Sequence, residues 1–500
     1  MNQRHALRSL CTAAALGAAT AMALAPGALP AAPAPTGKLN FVFFLIDDMG
    51  WTDAGCYGSA FYETPNIDRL ARQGMRFTDA YAASPVCSPT RASIMAGKYP
   101  ARLRITQHGP KPLPLEEVTL AEALKEAGYA TFFAGKWHIG AEAKYWPDQQ
   151  GFDFNLGGNG SGSPGAFGGY FSPYRNAQLP DGPAGEYLTD RLTEEAVRFL
   201  DAHKAQPFLV YLSHYAVHTP LQAKQKLAAK YTAKAGRMPK PKGPTLREES
   251  PRAKTDLLQD NPAYAAMIQS VDDSVGQIMD KLDELGIADR TAVIFMSDNG
   301  GLSTVVNARA RGGGKSIPTC NLPLRAGKGW LYEGGIREPM IIKWPGVTRP
   351  SSTCGVPVTS TDFYPTMLEM AGVPLKPSQH VDGVSLVPLL KGGTSLEREA
   401  IYWHYPHVHG SGSIPSAAVR AGDWKLIEWH DEQRVELFNL ADDLGETKDL
   451  SKSNPGKTRD LYDRLRAWQK EVGAVWPEGK LEPWKLRSQR KKSRGIDGKP

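Results

Sequence analysis

Short apolar runs punctuate the chain, each closing in polar or glycine-rich sequence: Phe41–Ile46, Ala130–Ala134, Phe208–Leu212, Ala292–Met296 and Met340–Ile342. Runs of this length with little alternation suit strands buried on both faces. Between them, apolar positions three and four apart predict helices over Thr64–Gln73, Thr119–Ala127, Leu188–His203, Pro262–Leu285 and Thr361–Ala371. Strand–helix alternation predicts an α/β fold, a parallel sheet with helices on both faces. Ligands of such sheets bind beyond the carboxyl ends of the strands. Two long stretches show no regular pattern: 145–185, rich in Gly, Asn, Ser and aromatics, and 222–260, rich in Lys, Arg and Pro. Loops this long commonly form functional rims or insertions. After Leu386–Leu390 the character changes to short alternating strands (Ala418–Val419, Trp424–Trp429, Val435–Phe438) and one helix, Thr458–Val472. This predicts a main domain over 37–395 and a smaller α+β domain over 396–480.

Hydrophobic residues at 41% and charged residues at 22% suit a globular chain. The formal charge of +7 loses its nucleic-acid meaning once it is located. Eight basic residues against two acidic ones fall between Lys480 and Lys499, and Arg4 and Arg8 stand at the start. The remainder is close to neutral, so no nucleic-acid partner is expected and 481–500 reads as a basic, solvated tail. Residues 1–35 read as a secretory signal, with Arg4, His5 and Arg8 ahead of the small-residue apolar run Leu10–Leu24. That run is too short and alanine-rich for a stable membrane anchor, so an exported, periplasmic or secreted product is expected. Beyond it, Cys56, Cys87, Cys320 and Cys354 are too few for a disulfide framework. Cys320 and Cys354 are either bridged or both free.

Asp47 and Asp48 directly follow one predicted strand, and Asp298 and Asn299 directly follow another. On parallel neighbours these four oxygen-bearing side chains would meet at one sheet edge. Three carboxylates and an amide oxygen suit a hard divalent cation, Ca²⁺ better than Zn²⁺. Taken alone, Asp-Asp and Asp-Asn-Gly also suit ordinary strand-ending turns. In Cys87-Ser88-Pro89-Thr90-Arg91, Pro89 fits the first turn of a helix, which places residue 87 at a helix N-terminus that favours an anion. His214 precedes His218 by four residues, the spacing of a helical metal pair. The strand-like Phe208–Tyr211 just before it argues against that, and His214 is read as structural.

With these residues in view, the chain resembles the type I, formylglycine-dependent sulfatases of the alkaline-phosphatase-like superfamily. Cys87-Ser88-Pro89-Thr90-Arg91 matches the C-x-P-x-R core at which a maturation enzyme oxidises cysteine, although Ala96 stands where the extended signature commonly has threonine. Gly128–Gly140 matches the second signature. Ile46–Gly50, His218-Thr219-Pro220, Ser297–Gly300, Gly327-Lys328-Gly329 and Glu333–Arg337 follow in family order, with Glu436–Leu440 and Gly445-Glu446-Thr447 in the small domain. The match covers nearly all of the chain after the leader. It implies a large mixed, mostly parallel sheet flanked by helices, plus a small C-terminal α+β domain with an antiparallel sheet. It implies a sulfatase that hydrolyses sulfate esters with Ca²⁺ and formylglycine at position 87. By family position, Asp47, Asp48, Cys87, Asp298 and Asn299 hold the metal. Asp298 also serves as base, Arg91 and Lys136 stabilise the oxidised side chain, and His138 accepts a proton. His218 and Lys328 bind sulfate and protonate the leaving alcohol. The implied partners are the maturation enzyme and the substrate.

The substrate is read from residues outside these blocks. Tyr402-Trp403-His404-Tyr405-Pro406-His407 with His409 offers stacking faces and hydrogen-bonding tips that suit a sugar ring, or equally a packed domain interface. Arg102, Arg104 and His108 follow the residue-87 helix and could read hydroxyls. A sulfated carbohydrate, attacked at a terminal residue, is the expected substrate. Two alternatives are a phosphonate monoester or phosphodiester hydrolase of the same superfamily and a non-catalytic protein that binds sulfated glycans. Relative rates on matched esters separate the first, and the chemical state of residue 87 separates the second.

Overall fold

The computed structural model describes residues 37–109, 111–239, 241–307 and 317–476. The leader expected over 1–35 and the tail over 481–500 lie outside the described residues. The main sheet has eight strands: β1 (Asn40–Ile46), β2 (Met75–Phe77), β3 (Ala130–Gly135), β4 (Phe154–Leu156), β5 (Phe208–Ser213), β6 (Thr291–Ser297), β7 (Met340–Lys343) and β8 (Ser352–Cys354). Their order is β8-β2-β7-β6-β1-β5-β3-β4. Strand β7 pairs antiparallel with both β6 and β2, and the remaining pairs are parallel. The sheet is therefore mixed and mostly parallel.

Both faces are buried, which explains the continuous apolar runs. Along β1, Val42, Phe44 and Ile46 face one core while Phe41, Phe43 and Leu45 face the other. Helices Pro65–Gln73, Leu188–His203 and Pro262–Glu284 cover the first face, and Cys87–Ala96, Leu120–Glu126 and Phe363–Met370 cover the second. Leu188, Leu192, Ala196 and Phe199 make one inward stripe on their helix. Thr119 and Glu122 close a capping box that starts the next helix at Leu120, one residue inside the predicted start.

Both stretches read as patternless contain regular elements. Residues 222–260 hold helix Gln225–Gly236 and strands Leu246–Ser250 and Ala253–Asp256, which pair with Thr304–Val306 in a small antiparallel sheet. That helix fully buries only Tyr231, with Leu227, Ala228 and Ala235 half-buried beside it, so its apolar stripe is short and faint in the sequence. Residues 145–185 supply the edge strand β4.

The C-terminal segment forms an antiparallel sheet in the order β9 (Ile401–Tyr405), β10 (Ser416–Ala421), β11 (Trp424–Trp429), β12 (Arg434–Asn439). Helix Pro455–Glu471 packs Leu461, Leu465 and Trp468 on one face of it. The other face presents Trp403, Ala418, Ile427 and Phe438 to Tyr81, Trp330 and Tyr332. All four described cysteines are free, with Cys354 on edge strand β8 and Cys320 beside Thr52.

Candidate active site

Four adjacent parallel strands, β6-β1-β5-β3, deliver their carboxyl ends to one place. Ile46 lies opposite Ser297, so Asp47 and Asp48 leave β1 beside Asp298 and Asn299 leaving β6. Lys136 and His138 follow β3, and His218 follows β5 a few residues on. Asp48 (φ 62°) and His138 (φ 61°) both adopt the left-handed conformation that non-glycine residues avoid, and both sit at this edge.

Cys87 is the first residue of the ten-residue helix Cys87–Ala96, every side chain of which is buried. The free N–H groups there favour negative charge. Arg91 lies one turn on and on the same face. Its guanidinium holds Asp298 by Nε at 2.8 Å and by its terminal nitrogen at 2.7 Å. It also donates to Ser213 Oγ at 2.6 Å and to the Lys136 carbonyl at 2.7 Å. Ser213 thus joins the site from the end of β5, a role the sequence reading did not assign to it.

The cations and carboxylates interlock. Lys136 Nζ donates to Asp47 Oδ2 at 2.7 Å, and Lys328 Nζ donates to Asp48 Oδ1 at 2.6 Å. Asn299 Nδ2 donates to the same Asp48 oxygen at 2.7 Å. Asp47 Oδ1 and Asn299 Oδ1 are buried and accept no hydrogen bond. Ligand atoms of Asp47, Cys87 and Asp298 lie within 4.8 Å of one another, as do those of Asp47, Asp48 and His218. Orphaned oxygens beside converging carboxylates are the donor set a hard divalent cation takes, so the residues present fit Ca²⁺.

Burial and the neighbouring Asp298 and Asp48 push the Asp47 carboxyl upward, against the pull of Lys136. Burial acts on Asp48 in the same direction, but Lys328 and His218 outweigh it and hold that carboxyl below the usual carboxylate range. Burial lowers His218 to about 3, with Lys328 adding to the effect. His218 Nδ1 donates to the Thr219 carbonyl at 2.7 Å, and Nε2 lies 3.7 Å from Asp48 Oδ2. Burial, then Lys136 and Arg91, drive His138 well below its ordinary value, so its Nδ1, 3.4 Å from Cys87 Sγ, belongs to a neutral ring. Burial lowers the Lys328 ammonium, but Asp48 more than restores it, and the lysine stays charged.

A cavity of about 1000 Å³ opens above these groups, with Asp48, Cys87, His138, His218 and Lys328 in its lining. Of the six residues expected to read substrate, His108 and His409 line it, their rings edge to face at 5.5 Å. The other four lie outside the lining. Arg102 is taken up by Asp382 at 2.7 Å and Glu471 at 2.9 Å, and Arg104 is exposed. His404 is buried on β9, its Nε2 donating to the Val475 carbonyl at 3.0 Å, and His407 bonds Thr106 Oγ1 at 2.9 Å. The aromatic run is accordingly a packed strand: Trp403 faces Tyr81 at 5.3 Å and Tyr402 stacks on Trp468 at 4.9 Å. Leu221, Leu302, Val305 and Val306 add apolar lining, largely from segments that carried no sequence signal.

A family profile described as Sulfatase matches residues 39–373, and one described as N-sulphoglucosamine sulphohydrolase, C-terminal, matches 326–471. A protein named Sulfatase from Formosa agariphila is 31% identical, the alignment covering 86% of this chain and 88% of that one. The N-acetylgalactosamine-6-sulfatase of Canis lupus familiaris is 32% identical over 83% of this chain and 76% of its own. Among solved structures, that of Ps i-CgsB in complex with k-i-k-neocarrahexaose superposes with a TM-score of 0.72 at 30% identity, covering 89% of this chain and 95% of that one.

Proposed function

The chain belongs to the sulfatase family, and from that premise we propose that it releases sulfate from a terminal, sulfated sugar, using Ca²⁺ and an oxidised residue 87. The observation that carries this reading is the pair of buried oxygens on Asp47 and Asn299 that accept no hydrogen bond, beside ligand atoms of Asp47, Asp298 and Cys87 that lie within 4.8 Å of one another at a helix N-terminus. A sulfate ester is anionic, so an anionic nucleophile is repelled until the ester oxygens are neutralised. Asp47, Asp48, Asp298 and Asn299, with residue 87, would hold Ca²⁺, which neutralises sulfate oxygens, while formylglycine made from Cys87 by a maturation enzyme offers a hydrated aldehyde as nucleophile.

The rest of the reading concerns the chain's own groups. Cys87 Sγ marks where the oxidised side chain stands, and Asp298, held by Arg91 with an oxygen within 4.8 Å of that sulfur, is the base for a proton there. Arg91 and Lys136 keep positive charge beside the same position. The neutral His138 accepts a proton at its Nδ1. Lys328 remains charged and faces the cavity, so it has both a charge for a sulfate oxygen and a proton for the leaving alcohol. His218 has committed Nδ1 to Thr219 and turns Nε2 toward the site, which suits it to orient the ester.

A sugar as the alcohol is supported by the carbohydrate named for the 32%-identical canine relative and by the oligosaccharide in the 30%-identical structure. It is supported also by a cavity large enough for more than one ring, with apolar lining for C–H faces and His108, His409, Ser161 and Ser163 for hydroxyls. The leader read in the sequence would carry the protein out of the cytoplasm to such a substrate. Among the described residues no helix is long and apolar enough to cross a membrane. The test is sulfate release by the matured protein from defined sulfated mono- and oligosaccharides. Turnover of at least one supports the reading. Cleavage of aryl sulfates alone refutes the sugar, and faster cleavage of a phosphodiester than of the sulfate ester of the same alcohol refutes the sulfatase preference.

A further inference from the structure

The loop that carries Lys328 and the turn that carries Asn299 bond to each other and share one further support. Both are pressed against the short helical turn Glu333–Ile336, buried throughout. A Cβ on Gly300, next to Asn299, would lie 1.9 Å from the Gly334 carbonyl oxygen, and Gly300 N donates to the Gly335 carbonyl at 3.2 Å. A Cβ on Gly335 would lie 2.5 Å from the carbonyl oxygen of Gly327, next to Lys328. Lys328 N closes the triangle by donating to the Gly301 carbonyl at 3.1 Å. At this density a shift of the turn moves both residues.

The turn is held by charge. Glu333 is fully buried and its Oε1 accepts Lys425 Nζ at 2.8 Å. Its Oε2 accepts from Tyr81 at 2.7 Å and Arg337 at 3.2 Å. Its backbone N–H donates to Glu446 Oε2 at 2.6 Å, and Glu446 Oε1 accepts a second bond from Lys425 at 2.8 Å. The Lys425, Glu333 and Glu446 side chains have no exposed surface. Lys425 stands on β11 and Glu446 follows β12, both in the C-terminal segment, and neither lines the cavity. Without Lys425, the buried Glu446 side chain loses its cation and Glu333 keeps only Arg337 and Tyr81, so the pair and the turn they hold would shift.

We propose that Lys425 and Glu446 are positioning residues for the sulfate site: by clamping Glu333 they fix the turn against which Lys328 and Asn299 are set. This rests on the reading of Lys328 as the cation that meets sulfate.

The test uses the full-length protein carrying Lys425→Met, Lys425→Arg or Glu446→Gln. Tyr402→Leu is the control, because Tyr402 packs on the opposite face of the C-terminal sheet, stacked on Trp468 at 4.9 Å in a cluster that includes no residue of the turn. Three quantities are read well below each variant's melting temperature: kcat and KM on a small aryl sulfate, and calorimetric affinity for inorganic sulfate. A misplacement of this kind predicts a fall of roughly tenfold to a hundredfold in kcat/KM for Lys425→Met, with a parallel loss of sulfate affinity. Lys425→Arg restores part of both, and Tyr402→Leu lowers the melting temperature alone. Lys425→Met with a lower melting temperature but unchanged kinetics and sulfate affinity overturns the proposal. Should Lys425→Met fail to fold, Glu446→Gln decides in the same way, and unchanged sulfate affinity there overturns it. A wild-type protein without turnover would refute the functional reading, whereas sulfate affinity across the variants still decides this one.

Discussion

Asp47 offers one buried oxygen to Lys136 and leaves the other, 4.0 Å from the Arg91 guanidinium, without a hydrogen bond. Asp47→Asn keeps the shape and removes the charge, so added calcium should no longer raise the melting temperature, and kcat/KM should fall by a factor on the order of 10²–10³. Differential scanning calorimetry with and without calcium, beside a rate assay, checks both. Arg91 and Arg102 make a contrasting pair. Arg91→Ala strands Asp298 in the interior and should cost about 3–5 kcal/mol as well as activity. Arg102→Ala gives up a partly exposed pair with Asp382 and Glu471, about 1 kcal/mol, with turnover unchanged; urea melts and rates on one substrate distinguish them. The acidic and amide residues were legible because each follows a strand directly in sequence. Arg102, Arg104, His404 and His407 were misplaced because a polar side chain near a site in sequence carries no sign of which way its element turns.

At the scale of elements, the long central strands and amphipathic helices could be read because burial on two faces or one leaves a periodic mark. The Leu246–Ser250 strand is only partly buried, Ala253–Asp256 and Thr304–Val306 are mostly buried but very short, and helix Gln225–Gly236 fully buries only Tyr231, so their sequences look like loops. Strand β9 shows the opposite failure, since its alternating aromatics and imidazoles suit a ligand platform as well as a strand between two packed layers. Its His404 supplies a test. Burial lowers that imidazole to about 4, below the ordinary value near 6.5. As pH falls the unfolded chain takes the proton first, so the strand's contribution is intact above about pH 6.5 and is lost between there and pH 4, up to about 3 kcal/mol. The stability advantage of wild type over His404→Gln, measured by urea melts at pH 7.5 and pH 4.5, should shrink toward acid.

Across the whole molecule, sheet order does what no single segment can. Residues 47, 87, 136, 218, 298 and 328 come from separate elements and meet because β6, β1, β5 and β3 are adjacent and parallel. The sequence showed alternation and motif order, which together point to such a sheet. It did not show β7 running against its neighbours, or the C-terminal sheet clamping the Lys328 loop through Glu333, because pairing between distant segments leaves no local trace. Mass spectrometry of the peptide spanning residue 87, from protein that releases sulfate, tests the central claim most directly. The account predicts an aldehyde in place of the thiol there. Full sulfate release by protein whose Cys87 is entirely an unmodified thiol would contradict it.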